Sequence, residues 1–147
     1  MTPEEFQNNI DSAVDKTAEE LKPVMQLAVK SLKAMIAMRV QNVGFGKQYR
    51  PGSYLKMRMK RGYEIRFVNL TFTGKMFQGL NVPSAERTGL VVRGFIGGST
   101  QEVQNKLKWN KSRFPNFDKP TDEEKKIIIN FIKPNVKELL QKNLFKR

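Results

Sequence analysis

Residues 89–101 read Gly89-Leu90-Val91-Val92-Arg93-Gly94-Phe95-Ile96-Gly97-Gly98-Ser99-Thr100-Gln101. The branched and aromatic side chains up to Ile96 predict a strand. Gly97-Gly98 closes it, and Ser99-Thr100 supplies the hydroxyl that caps a helix running from about Gln101 to Trp109. A strand feeding directly into a capped helix places the chain in a mixed class. Upstream, Asn81-Val82 is a further β signal, set off by the turn Pro83-Ser84-Ala85-Glu86. Earlier still, Glu64 to Phe72 alternates imperfectly, with Ile65, Phe67 and Leu70 against Arg66 and Asn69, and predicts another strand. Between them, Thr73 caps a helix of one to two turns ending near Leu80.

Helices flank this centre. Thr2-Pro3-Glu4-Glu5 combines a capping hydroxyl, a proline at the first helical position and a glutamate three residues after the cap. Phe6, Ile10, Ala13, Thr17 and Leu21 follow at helical spacing, and the pattern resumes after Pro23 through Leu27, Ser31, Met35 and Val40. The expectation is one helix kinked near Pro23, or two in succession, ending before Gly44. Residues 44–63 form a connection rich in Gly, aromatic and basic residues, within which Ser53 caps a short helix. Asn110 to Asp118 is a loop. Thr121-Asp122-Glu123-Glu124 is a second capping box, followed by Ile127/Ile128, Phe131/Ile132, Val136, Leu139/Leu140 and Leu144, with a bend expected at Pro134. The reading is α+β: an N-terminal helical arm (1–43) and an α+β body (44–147) with a small, mainly antiparallel sheet, in a single structural domain.

The 147 residues include 27 Lys plus Arg against 14 Asp plus Glu, a net charge of +13, and no Cys or His. Those two absences exclude Ser-His-Asp and Cys-His nucleophile systems and Cys/His zinc sites. No cofactor, metal or catalytic residue is expected, and the chain reads as a non-enzyme. No apolar run approaches the ~20 residues of a membrane helix. The first twenty residues, with six acids and one Lys, are the opposite of a signal peptide.

Charge is segregated along the chain. Residues 1–20 carry a net −5, and residues 21–147, with 26 basic and eight acidic side chains, carry +18. Asp11, Asp15 and Glu19 share one helical face, a solvated acidic face or a contact surface. Lys47, Arg50, Lys56, Arg58, Lys60 and Arg61 form a basic patch interleaved with Phe45, Tyr49, Tyr54 and Tyr63. Such a patch fits either a solvated or protein-docking face or nucleic acid, through phosphate neutralisation and stacking. Gly44-Phe45-Gly46-Lys47 lacks the strand, spacing and Ser/Thr of a phosphate loop. Trp109, Phe114, Pro115 and Phe117 are expected to pack on the sheet as an aromatic anchor.

The stretch Leu70-Thr71-Phe72-Thr73-Gly74-Lys75-Met76-Phe77-Gln78-Gly79-Leu80-Asn81-Val82 resembles the Leu-x-x-Thr-Gly-x-Leu/Met-x-x-Ser-Leu element of small tail-completion and head-tail joining proteins of tailed bacteriophages and prophages. Leu70, Thr73, Gly74, Met76 and Leu80 carry the likeness, with Gly79 where Ser is usual. Arg113-Phe114-Pro115 approximates that family's Arg-Pro-Phe. The resemblance implies a structural virion subunit, assembled in the bacterial cytoplasm. It would form a ring-like homo-oligomer and contact connector, tail-tube or tail-terminator proteins, with room for non-specific contact with passing DNA. A complementary meeting of the acidic helix with a neighbour's basic stretch would suit such a ring. The alternative reading is a basic nucleic-acid-binding module.

Overall fold

The computed structural model describes residues 2–70 and 74–145. Its elements are α1 (Pro3–Asn42), α2 (Ser53–Lys60), α3 (Lys75–Gln78), β1 (Leu80–Asn81), β2 (Glu86–Thr88), β3 (Val91–Arg93), β4 (Gly97–Gly98), α4 (Gln101–Arg113) and α5 (Asp122–Leu144). The class is α+β, and the strands are antiparallel. They form two separate two-stranded ladders, β1 with β4 and β2 with β3. The chain divides into two compact units, the first made of residues 1–32, 82–96 and 121–147 and the second of residues 33–81 and 97–120. These limits do not coincide with a cut at 43/44, because α1 passes from the first unit into the second after Leu32.

In the first unit, α1 begins as its sequence dictates. Thr2 Oγ1 accepts from the Glu5 amide (3.1 Å) while Glu5 Oε2 accepts from the Thr2 amide (2.7 Å), a reciprocal cap. The helix continues unbroken through Pro23. Its buried positions Ala13, Thr17 and Ala18 are small, which lets the end of α5 approach closely. There Asn143 Nδ2 donates to Thr17 Oγ1 (3.1 Å) and Lys142 Nζ to Glu20 (3.2 Å). The β2–β3 ladder pairs Glu86 with Arg93, Arg87 with Val92 and Thr88 with Val91. Gly89-Leu90 is therefore the two-residue hairpin turn and not the start of a strand, so the strand expected over 89–96 is shorter than its composition suggests. α5 opens on the expected box, Thr121 Oγ1 accepting from the Glu124 amide (3.2 Å) and Glu124 Oε2 from the Thr121 amide (2.8 Å).

The second unit buries Ile36, Val40, Val68, Met76, Phe77, Val103 and Phe117. β1 pairs Leu80 with Gly98 and Asn81 with Gly97. A Cβ on Gly98 would lie 2.7 Å from the Gln104 backbone nitrogen, so only glycine lets β4 ride directly on the first turn of α4. Thr100 Oγ1 then caps α4 by accepting from the Val103 amide (3.3 Å). The helix runs on to Arg113, beyond its expected end at Trp109.

Two sequence expectations fail in this unit. Ser53 is the first residue of α2 and not its cap, a position held by Gly52 with no side-chain capping bond. The strand expected from Glu64 is absent over 64–70. Glu64 Oε1 captures the amides of Ile65 (2.9 Å) and Arg66 (2.8 Å), folding the backbone into a bend, and Leu70 adopts a left-handed conformation at φ 53°. Local side-chain bonds here outcompete a ladder. The segment is tied to the preceding loop by a backbone bond from the Val68 amide to the Lys47 carbonyl (2.7 Å) and by side-chain bonds between Tyr49 and Asn69.

Candidate functional site

The net charge of the chain resides almost wholly in one unit. The second unit holds 15 basic and three acidic side chains, a net +12, whereas the first holds 12 and 11, a net +1. The segregation along the chain is thus not the one that folding creates. Acidic α1 is compensated within its own unit, where Arg87 forms ion pairs with Asp15 and, at 3.5 Å, with Glu19, and Lys22 binds Glu19 at 2.5 Å. The Lys22 ammonium beside it holds the Glu19 carboxyl below its usual range, aided by Arg87. Asp11 accepts a bond from Gln7 Nε2 (2.9 Å). The three acids do lie on one exposed face, but two of them already have cationic partners.

In the second unit the loop before α2 and the flank of α4 enclose a groove of about 1000 Å³. Four cations line it, Lys47 and Arg50 from the loop and Lys106 and Arg113 from α4, together with the rings of Tyr49, Tyr54, Trp109 and Phe114. Val68, Leu70 and Met76 add apolar surface. No carboxylate is among its described lining residues. Lys106 is engaged by Glu102 one helical turn away (2.5 Å), but Lys47, Arg50 and Arg113 have no carboxylate partner among the described residues.

Arg58, expected in the basic patch, is not on the surface. It has no exposed area. Its Nε and Nη2 donate to the Glu64 carbonyl (3.1 and 2.9 Å), Nη2 also to Asn69 Oδ1 (3.0 Å), and Nη1 to the Tyr54 hydroxyl (3.4 Å). The guanidinium lies 4.5 Å from the Tyr49 ring centroid, and 5.8 and 5.5 Å from those of Tyr54 and Tyr63. A planar cation that stacks and bonds in its own plane can fasten several tyrosines at once, which a lysine cannot. Burial raises the Tyr49 phenol above its usual value, against the lowering effect of Arg58. The phenol therefore stays protonated and donates to Asn69 Oδ1 (3.1 Å). Arg58 is thus the support beneath two rings of the groove. The other patch residues, Lys47, Arg50, Lys56, Lys60 and Arg61, are exposed.

The aromatic anchor divides. Phe117 is 1% exposed and Phe114 half-buried, and both pack on Phe45 at centroid distances of 6.2 and 5.5 Å. Pro115 is exposed. Trp109 is 56% exposed and does not anchor the sheet; the Arg113 guanidinium stacks on its ring at 4.6 Å. The indole nonetheless remains more than half exposed, and the extension of α4 to Arg113 makes this stacking possible. In the family-like stretch, Met76 is buried, Leu80 pairs in β1, and Gly74 takes φ 74° ahead of α3, a conformation costly for any side chain. Thr73 and its expected cap lie outside the described residues.

Lys106 escaped the sequence reading, because α4 meets the loop only in the folded unit. Among the described residues no group of three His, Cys, Asp or Glu side chains could hold a metal ion. No described helix is long and apolar enough to cross a membrane. Compared with protein-family models, curated proteins and solved structures, the chain has no match.

Proposed function

We propose that the chain is a structural subunit of a tailed-phage or prophage virion that joins or completes the tail at the head-tail connector through oligomeric protein contacts. The observation that carries this reading, beside the likeness of Leu70 to Val82, is the apolar arc of α5. Ile127, Ile128, Ile129, Phe131 and Ile132 cover about half of the helix circumference. Only Ile128 and Ile132 are half-buried, and Ile127 and Phe131, one turn apart, are 55% and 38% exposed. An apolar arc wider than the face it buries suits a subunit contact, and full burial of such side chains is worth about 1.5–3 kcal/mol each. Charge complementarity alone would not suffice, since exposed ion pairs contribute about 0–1 kcal/mol.

Light scattering on the purified chain tests the contact. An oligomer is expected, and Ile127→Glu with Phe131→Glu is expected to yield monomers of unchanged thermal stability. Deleting the gene in a producing strain should leave filled heads and free tails. A monomer at micromolar concentrations, together with absence of the chain from purified particles by mass spectrometry, would overturn the reading.

A further inference from the structure

We propose that the groove of the second unit binds single-stranded nucleic acid, with a base stacked at Trp109 and phosphates held by Lys47, Arg50 and Arg113. This site does not depend on the virion reading. Its charge selects a polyanion, because it is built of cations without a lining carboxylate among its described residues and lies in a unit of net +12. The rings select among polyanions. Trp109 and Tyr54 are both about half exposed beside those cations, and an unpaired base offers a flat π-face to an indole or a guanidinium plane. A duplex keeps its bases stacked internally and leaves such rings unused.

An acidic peptide would satisfy the cations but gains nothing specific from an open indole. The most acidic face available on a second copy, that of α1, already has Asp15 and Glu19 paired with Arg87 and Lys22. The supporting layer also fits. Arg58 holds Tyr49 and Tyr54 from beneath, and stacking on ordered rings loses less freedom than stacking on mobile ones.

Trp109 is the sole tryptophan of the chain, so its fluorescence reports the site directly. The full chain is titrated with oligo(dT) and, separately, oligo(rU), with the same sequence as duplex and with polyglutamate as comparisons. Saturable quenching is expected with at least one single strand, and the two arms distinguish DNA from RNA. The affinity should fall with salt at a log-log slope of about −2 to −3, as three or four phosphate contacts require. By anisotropy, Trp109→Ala should weaken binding about fivefold or more. Lys47→Ala with Arg50→Ala should flatten the salt slope, and Lys125→Ala with Lys126→Ala in the first unit should change nothing. Circular dichroism of each variant separates lost binding from lost folding. Absence of quenching by either strand, equal quenching by polyglutamate, or duplex binding indifferent to Trp109→Ala would each overturn the proposal.

Discussion

A single carboxylate decides the path of residues 64–70. Glu64 accepts from the amides of Ile65 and Arg66 and from the Arg66 guanidinium, Nη2 lying 2.8 Å from Oε2. Those bonds, the Arg66 side chain's foremost, hold its carboxyl down to about 2. The folded protein thus takes up this proton less readily than the unfolded chain, whose glutamates titrate at about 4.3. The contribution of Glu64 to stability is complete above that value and is lost as pH falls towards 2. Urea unfolding of the wild type and of Glu64→Gln should therefore differ by a constant amount between pH 7 and pH 5. The difference should shrink progressively below about pH 4.5. A difference that persisted unchanged at low pH would mean that the carboxylate charge is not what holds the bend.

At the scale of elements, α1, α4 and α5 begin where sequence chemistry puts them, because a cap is a local bond between residues three apart. The Thr121 box is complete, and its Glu124 is buried. Thr121→Ala should cost about 1 kcal/mol, a fall in melting temperature of about 2–4 °C for a chain of this size. Thr121→Ser should restore most of it. A calorimetric change below about 1 °C for the alanine variant would show that neighbouring contacts and not the cap fix the start of α5. Strands are another matter. β1 pairs with β4 across the fifteen residues 82–96, and its existence depends on Gly98 lying against α4.

For the molecule as a whole, the balance between repulsion and pairing is uneven. The second unit holds five basic side chains for each acidic one, so like charges outnumber the pairs available to offset them. Self-repulsion of that kind opposes folding and is screened within about 10 Å at 0.1 M salt. Surface ion pairs such as Lys111–Asp118 and Lys106–Glu102 are worth too little to reverse the sign. The melting temperature should accordingly rise between about 10 mM and about 300 mM NaCl at pH 7. A fall over that range would show that the ion pairs outweigh the repulsion.

The sequence by itself determined the α+β class, the two capping boxes, the Thr100 cap and the excess of positive charge. Each of these is a property of composition or of residues within a few positions of one another. It also marked Lys47, Arg50, Tyr49 and Tyr54, since basic and aromatic residues interleave in one short stretch. Tertiary structure decided the rest. Arg58 reads as one more surface cation until three tyrosines and the Glu64 carbonyl close around it, and Trp109 reads as core until Arg113 stacks on it in the open. Burial is the sum of what other segments contribute, and only the packing of α4 beside the loop before α2 brings four cations and four rings to one groove.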